Sequence, residues 1–181
     1  MTREEAEKEL IAMLEEAEDG PTYSMEEVDA YMRELLHPKN QIYLTGDTHG
    51  RFERIISFCE RQQVQPESSF IILGDVGLNY YGDRRDRRGK DALAQIPITF
   101  FCIHGNHEMR PSEELGYQVK EYHGGKVWVQ PEYPNLVFAI DGEIYDFFGH
   151  SCIVIGGAYS VDKYYRLARD YNWFEDEQPS D

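Results

Sequence analysis

The sequence has few cysteines, and their placement argues against two ways of stabilising a small protein, by disulfides and by a zinc ion. Cys59, Cys102 and Cys152 are the only three in 181 residues, and no pair has the Cys-x-x-Cys spacing. An odd number of widely separated cysteines argues against a disulfide framework and against a thiolate zinc site. The chain starts with an excess of acidic residues, not with the basic start and apolar stretch of a secretory signal. We therefore expect a cytoplasmic protein.

The chain also lacks a long hydrophobic run and an excess of positive charge. No apolar run approaches the roughly 20 residues needed to cross a bilayer, so we expect no membrane partner. Eighteen basic residues stand against 34 acidic ones, and the formal net charge is −16. This charge argues against binding to extended nucleic acid. A hydrophobic content of 41% with 13% aromatic residues predicts a folded domain rather than a disordered chain.

The N-terminal part of the chain is strongly acidic and has helical signals. Residues 1–36 contain twelve acidic and three basic residues. Two capping-box patterns, Thr2 with Glu5 and Ser24 with Glu27, predict the starts of two helices there. We predict a helical extension over residues 1–38 and a single further domain over residues 39–181.

From residue 41 the hydrophobic pattern changes to alternating strands and helices. Short β-rich runs occupy residues 41–44, 69–73 and 98–103, and helical periodicity occupies residues 51–62 and 84–95. This order predicts a parallel βαβαβ core. The C-terminal ends of its strands should lie along one edge of the sheet, where ligands bind in such folds.

Further strands are predicted after this core. They cover residues 126–129, 135–140, 143–148 and 152–155. The dipeptides Asp141-Gly142 and Gly149-His150 favour hairpin turns, so we predict antiparallel pairing in this section. The fold class is therefore α/β, with a parallel core, later antiparallel strands and an N-terminal helical appendage.

Each of the three predicted parallel strands is followed by a polar segment with glycine. These segments are Gly46-Asp47-Thr48-His49-Gly50, Gly74-Asp75-Val76-Gly77 and Gly105-Asn106-His107-Glu108. A single segment of this kind is often only a loop or a helix cap. Three in succession at one sheet edge indicate a ligand site.

The residue types in these segments suit a pair of divalent cations. Such a pair needs oxygen and imidazole donors and at least one carboxylate that bridges the ions. Asp75, in the middle segment, is the natural bridge. Asp47 and His49 could hold one ion and Asn106 the other, and His107 would then face the substrate.

The three motifs, Asp-x-His, Gly-Asp-x-x and Gly-Asn-His-Glu, resemble those of the calcineurin-like metallophosphoesterases in order and spacing. They cover residues 45–108. The resemblance implies a layered α/β sandwich whose two metal ions, of manganese, iron or zinc, take part in the hydrolysis of phosphate monoesters or diesters.

The resemblance also implies individual roles. Asp47 and His49 would bind the first metal, Asp75 would bridge, and Asn106 would bind the second metal. His107 would be the catalytic imidazole, which protonates the leaving oxygen or stabilises phosphoryl charge while a metal-activated hydroxide attacks from the opposite side.

The sequence departs from the family pattern after the third motif. The family completes its site with histidines in two later motifs, one of them Gly-His-x-His, whereas only His123 and His150 follow His107 and Cys152 stands in place of a second histidine. We therefore expect the domain to be incomplete at its C-terminus, either as a piece of a longer phosphoesterase or as a natural short form whose second metal is weakly held or supplied by a partner. Of these two explanations we favour the first, a piece of a longer phosphoesterase. The alternative function is a non-catalytic or partner-completed metal-binding domain.

The substrate class stays open at this point. The segment Gly77-Leu78-Asn79 replaces the Asp-Arg-Gly that protein serine/threonine phosphatases carry after their second motif. Phosphorylated small molecules, nucleotides and phosphoproteins are all candidate substrates. Arg51, Arg84 and Arg110 could clamp phosphate oxygens or form surface ion pairs. The Tyr80-Tyr81 pair could border the substrate cleft or pack within its loop.

Overall fold

The computed structural model describes residues 2–15, 23–36 and 40–179. The chain divides into two compact units, Met1–Lys39 and Asn40–Asp181. The first contains helices α1 (Arg3–Glu15) and α2 (Met25–Leu36), which contact each other. The predicted domain boundary at residue 38 stays a prediction. The sequence also predicts that His37 ends the second helix, and this position lies outside the described residues.

Both predicted capping boxes are confirmed. The Glu5 carboxylate accepts a hydrogen bond from the Thr2 backbone N–H at 2.6 Å, and Thr2 Oγ1 accepts one from the Glu5 N–H at 3.3 Å. Ser24 and Glu27 make the same reciprocal pair at 2.7 and 3.2 Å. Each box satisfies backbone donors that the first helical turn leaves without partners.

The second unit contains two sheets and three α-helices among its described residues. In chain order its elements are β1 (Ile42–Gly46), α3 (Glu53–Gln62), β2 (Ser69–Leu73), α4 (Arg84–Ala94), β3 (Thr99–Ile103), a 3-10 helix (Glu113–Leu115), β4 (Gln118–Tyr122), β5 (Gly125–Val129), β6 (Leu136–Ala139), β7 (Ile144–Phe147), β8 (His150–Ile153) and α5 (Lys163–Ala168). The larger sheet has the strand order β1-β2-β3-β6-β5-β4, and β7 and β8 form a separate antiparallel pair. The predicted α/β class is confirmed.

The parallel core forms as predicted. Strands β1, β2 and β3 pair in parallel and in register, with Gly46 opposite Leu73 and Leu73 opposite Ile103. Helix α3 packs on this sheet because Ile55 and Cys59 fall on one helical face, and both are buried. The matched register brings the C-terminal ends of all three strands to one sheet edge, which we call the metal edge.

Two hydrophobic layers cover the two faces of the larger sheet. On one face, Phe70 and Phe100 pack with Ile55 of α3 and with α4. On the other face, Phe101 packs against Tyr145 and Phe147 of the small sheet, with ring centroids 4.8 and 5.0 Å apart. Adjacent strand residues alternate between the layers because side chains point to opposite faces of a strand. Helices, large sheet and small sheet therefore form the layered sandwich.

The later strands differ from the prediction in their pairing. Strand β6 pairs antiparallel with β5 but parallel with β3, so this section is not wholly antiparallel. The Asp141-Gly142 turn joins strands of different sheets and closes no hairpin. The reason is Tyr145, whose fully buried side chain anchors β7 over the large sheet: its hydroxyl donates to the Lys126 carbonyl at 2.6 Å and accepts from the Ile140 N–H at 2.9 Å.

The second predicted hairpin is confirmed with a shift of one residue. Phe147 lies opposite His150, so the two turn residues are Phe148 and Gly149, with φ of 56° and 88°. Two consecutive positive φ values are typical of the tight turn that matches strand twist. Two elements, β4 and α5, were not predicted. Strand β4 has mostly exposed residues, and its polar sequence gives no alternating hydrophobic pattern.

None of the described helices is long and apolar enough to span a bilayer.

Candidate metal centre

The segments after β1 and β2 are joined by backbone hydrogen bonds at the metal edge. His49 N–H donates to the Asp75 carbonyl at 2.8 Å, and Gly50 N–H donates to the Val76 carbonyl at 2.9 Å. The buried Thr48 hydroxyl also donates to the Val76 carbonyl at 2.7 Å. These bonds hold the first two polar segments side by side.

The backbone at this edge is strained at the predicted ligand positions. Asp47, His49 and Asp75 have φ of 50°, 46° and 44°, in the left-handed region that side chains other than glycine rarely adopt. Such residues cost roughly 1–3 kcal/mol each and persist where surrounding contacts hold them. Strain of this kind is concentrated at functional sites.

The glycines of these segments allow the loops to touch one another. A Cβ on Gly77 would lie 2.2 Å from the Gly50 nitrogen, and a Cβ on Gly105 would lie 2.1 Å from the Asp75 nitrogen. No side chain fits in either space. The second and third segments therefore approach closely enough to share ligands.

Three potential ligands come together at the metal edge. The ligand atoms of His49, Asp75 and His107 all lie within 4.8 Å of one another. His49 Nε2 is 3.7 Å from Asp75 Oδ2, and the two imidazole rings have centroids 5.5 Å apart. The His107 backbone N–H donates to Asp75 Oδ1 at 3.0 Å, which fixes that carboxylate. Two imidazoles and a carboxylate are donors that suit zinc, iron or manganese, so these residues fit a divalent cation.

The other two predicted ligands, Asp47 and Asn106, lie in the same segments, and the Asp47 carboxylate is outside this group of three. Asp47 is exposed, and its carboxylate has no hydrogen bond or ion pair with any described residue. Asn106 donates from Nδ2 to the Ser160 hydroxyl at 2.9 Å. That bond leaves Oδ1, the amide atom that binds cations, without a partner in the described part of the chain. The assignment of all four ligands, and of His107 as the catalytic imidazole, stays a prediction.

A family model described as calcineurin-like phosphoesterase matches residues 41–181. The chain belongs to this family. No solved structure matches the chain. The family consists of phosphoester hydrolases that generally bind divalent metals, in agreement with the cluster of His49, Asp75 and His107.

Glu108 holds together the loops at the metal edge. Its side chain is fully buried. The carboxylate accepts backbone hydrogen bonds from Val76 and Gly77 at 3.0 Å each and from Gly105 at 3.2 Å. Burial raises the pKa of Glu108 to about 7, although the three N–H donors favour the charged form. Sequence reasoning missed this role, since the motif shows a glutamate but not which amides it reaches.

His104 and Arg110 have structural partners next to the site. His104 Nε2 lies 2.9 Å from the Glu108 carbonyl, so this nitrogen carries the proton when the ring is neutral. Burial lowers the pKa of His104 to about 4, which keeps the ring neutral near pH 7. Arg110 makes a 2.6 Å ion pair with Asp141 and donates to the Asp176 carbonyl at 2.7 Å. Of the two roles open for Arg110, the structure shows the ion pair.

A cleft of about 520 Å³ adjoins the metal edge. His49, His107, Tyr80 and Tyr81 lie on this cleft. The rings of Tyr80 and Tyr81 also pack edge to face, with centroids 4.7 Å apart, so the structure shows both arrangements left open for this pair, and a role in substrate binding stays a prediction. Arg51 and Arg84 are exposed and do not line it. Two arginines that the sequence reasoning passed over, Arg85 and Arg88, do line it. Their i, i+3 spacing on a basic helix was the available signal.

Proposed function

We propose that the chain is a metal-dependent hydrolase of phosphate monoesters or diesters that uses two divalent cations, of manganese, iron or zinc. The observation that carries this proposal is the convergence of His49, Asp75 and His107 at the carboxyl ends of parallel strands. Membership of the calcineurin-like phosphoesterase family supports the same reaction class. The cleft beside these residues supplies room for a substrate.

The proposed ligands divide between the two cations. Asp47 and His49 would hold the first, Asn106 Oδ1 would hold the second, and Asp75 would be a ligand of both. The 3.7 Å separation of His49 Nε2 and Asp75 Oδ2 supports a shared cation between these two groups. When bound, such cations lower the pKa of water and draw charge from the phosphoryl oxygens.

His107 has the proposed catalytic role. Its ring lines the cleft, and its backbone N–H is tied to Asp75, so the imidazole is held beside the cations' ligands. In the proposed reaction, the oxygen of water forms a bond to phosphorus as the bond to the ester oxygen breaks. His107, protonated on its ring, donates that proton to the departing ester oxygen, and the proton that the water gives up on attack returns to the imidazole, so alcohol and phosphate leave.

A second candidate function is a metal-binding domain without turnover, or one that a partner completes. The observation in its favour is that the carboxylate of Asp47, a predicted ligand, is not among the ligand groups that converge. One tightly bound ion per chain with no turnover would support this alternative. Two bound ions with turnover would support the hydrolase.

The substrate classes, the partners and the cellular compartment of the protein are also proposals. We propose phosphorylated small molecules, nucleotides or phosphoproteins as substrates, and neither membranes nor extended nucleic acid as partners, because the net charge is −16. The free thiols Cys59, Cys102 and Cys152 support a reducing compartment, which we propose to be the cytoplasm.

The central test replaces the proposed bridging carboxylate. Asp75→Asn should weaken manganese binding, measured by titration calorimetry, by more than the ~100-fold that loss of an outer-shell partner causes. Hydrolysis of p-nitrophenyl phosphate and of bis(p-nitrophenyl) phosphate should fall with it. Asp170→Asn is the matched control, because Asp170 is exposed, carries the same charge and also has a positive φ, of 55°.

The control should retain metal binding and turnover. If Asp75→Asn binds manganese and turns over like Asp170→Asn, the proposed function is wrong. If Asp75→Asn loses metal binding and the unmodified chain shows no turnover, the results support the second candidate function instead.

A further inference from the structure

Helix α4 is a basic stretch in an acidic protein. Residues 84–90 contain four arginines and one lysine against a single acid, Asp86, although acidic residues outnumber basic ones 34 to 18 in the whole chain. Asp86 is buried, and its carboxylate accepts the backbone N–H groups of Tyr81 and Gly82 at 2.9 and 2.6 Å. Its charge is therefore directed at the backbone of the loop before the helix.

One face of this helix forms a wall of the cleft at the metal edge. Arg85, Arg88, Gly89 and Ala92 line the cleft, and their i, i+3, i+4, i+7 spacing places them on one helical face. Helix α4 packs closely against Phe52, because a Cβ on Gly89 would be 2.9 Å from the Phe52 ring. Phe52 lines the same cleft as His49 and His107.

The two arginines of this wall differ in what they contact. Arg85 makes a 2.8 Å ion pair with Asp83, and its guanidinium lies 3.5 Å from the centre of the Tyr81 ring. Arg88 is exposed and has no ion pair or hydrogen bond with any residue that the structure describes. A guanidinium without a partner, beside a phosphoesterase site, is free to bind an anionic group in bidentate fashion.

The rest of the cleft suits an aromatic, hydroxyl-bearing group. Tyr80 and Tyr81 lie on it with the apolar side chains of Phe52 and Ile56. The two tyrosine rings are nearly perpendicular with centroids 4.7 Å apart, and Arg85 covers one face of Tyr81, so a nucleobase can stack on an uncovered ring face at the cleft but cannot insert between the two rings. Glu53 also lines the cleft, and its carboxylate accepts hydrogen bonds from hydroxyl or amino groups but repels a bare polyanion. A volume of about 520 Å³ lies within the range of small-ligand sites, roughly 300–1,000 Å³.

We propose that this cleft selects nucleotides that carry a second phosphate besides the one at the metal edge. Arg88 binds the additional phosphate, the tyrosine pair takes the base, and Glu53 takes a ribose hydroxyl or a base amino group. The inference rests on the proposed function, since it assigns a substrate class to the same site. It also explains the basic helix, because a ligand with two phosphate groups would otherwise be repelled by an acidic protein.

The test compares two arginines of the same helix. Arg88→Ala removes the proposed phosphate ligand, and Arg84→Ala removes an equal charge from an exposed position outside the cleft. In EDTA, calorimetric titration with adenosine 5′-diphosphate should show binding weakened about tenfold by Arg88→Ala, as for loss of a charge-assisted hydrogen bond. Arg84→Ala should change it less than twofold.

Further measurements distinguish a failure of the proposed function from a failure of this inference. With manganese present, Arg88→Ala should raise the inhibition constant of adenosine 5′-diphosphate against p-nitrophenyl phosphate hydrolysis about tenfold and change the KM for p-nitrophenyl phosphate less than twofold. If nucleotide binding depends on Arg88 but no ester is hydrolysed, the proposed function fails and the nucleotide site stands. If esters are hydrolysed but both alanine variants bind the nucleotide equally well, the inference is wrong. Inorganic tripolyphosphate bound as tightly as the nucleotide would also overturn it, since the base would then contribute nothing.

Discussion

Two buried charged side chains hold the second unit together in different ways. Glu108 is fully buried beneath the metal edge, and Lys90 of helix α4 is only 6% exposed. Each makes three hydrogen bonds. The partners of Glu108 are backbone N–H groups in two loops, whereas those of Lys90 are side-chain oxygens of Asn79, Tyr117 and Gln130 at 2.8–3.1 Å.

The difference lies in what each charge controls. A carboxylate bound to backbone amides fixes the course of the chain, so Glu108 determines where Asp75 and His107 lie. An ammonium group bound to side-chain oxygens joins helix α4 to its neighbours through groups that can rotate to other partners. We expect the site to depend strongly on Glu108 and the packing of α4 to tolerate changes at Lys90.

The largest effect is expected for Glu108→Leu, a change of similar size that removes every acceptor. Three buried N–H groups would lose their partner, at roughly 1–3 kcal/mol each, so the free energy of unfolding should fall by about 4 kcal/mol. Urea denaturation measures this change. Lys90→Met is the matched comparison and should lower the unfolding free energy by about half as much near pH 7.5. If Glu108→Leu and Lys90→Met lose the same unfolding free energy, backbone partners are no more important to stability than side-chain partners, and the comparison is wrong.

A smaller loss of unfolding free energy is expected for a substitution where the loops that contain Gly105 and Asp75 touch. Gly105→Ala places a Cβ 2.1 Å from the Asp75 backbone, so we expect a loss of about 3 kcal/mol in unfolding free energy and weaker manganese binding. Gly124→Ala is the control: it has open space around it but a φ of +86°, and should lose only about 1–2 kcal/mol through backbone strain. Calorimetric metal titration of both variants shows whether the damage reaches the site. Gly105→Ala with normal stability and normal metal binding would contradict the close approach of the loops.

The smallest effect is a pH dependence that belongs to Lys90. Burial lowers the pKa of Lys90 to about 8 from its ordinary value of 10.5. Between these two pH values the unfolded chain keeps the proton that the folded chain has released, so the contribution of Lys90 to stability rises with pH. From pH 8 to pH 9.5, the wild-type protein should gain about 1.5 kcal/mol relative to Lys90→Met.

Urea denaturation of both proteins at the two pH values measures this difference. The comparison with the variant cancels the titration of other groups, such as Tyr145, whose pKa burial raises to about 12. A constant difference across this range would mean that Lys90 keeps its proton when buried.

The sequence predicted the parallel core because its elements carry strong local signals. Ile55 and Cys59 mark the buried face of one helix, and the apolar run 69–73 marks a central strand. Strand β4 could not be predicted in the same way, since its residues are polar and mostly exposed and it is ordered by pairing with β5. The parallel pairing of β6 with β3 depends on contacts between residues far apart in sequence.

The candidate site was predictable in part for the same reason. Three polar segments after three parallel strands indicate a shared edge, and two of the four proposed ligands, His49 and Asp75, lie together there. The hydrogen bonds between loop amides and the Glu108 carboxylate were not predicted, and neither was the free guanidinium of Arg88. Both depend on which backbone amides or neighbouring charges surround the side chain, and no spacing in the sequence contains that information.

The sequence by itself determined the kinds of donor atom at each strand end and their order along the chain, because these are properties of residue type and local pattern. Only the tertiary structure decided which donors meet. Distances of a few ångströms depend on strand register, on left-handed backbone at Asp47, His49 and Asp75, and on loop contacts that a single Cβ at Gly105 would prevent. These are set by residues distant in the chain that pack together.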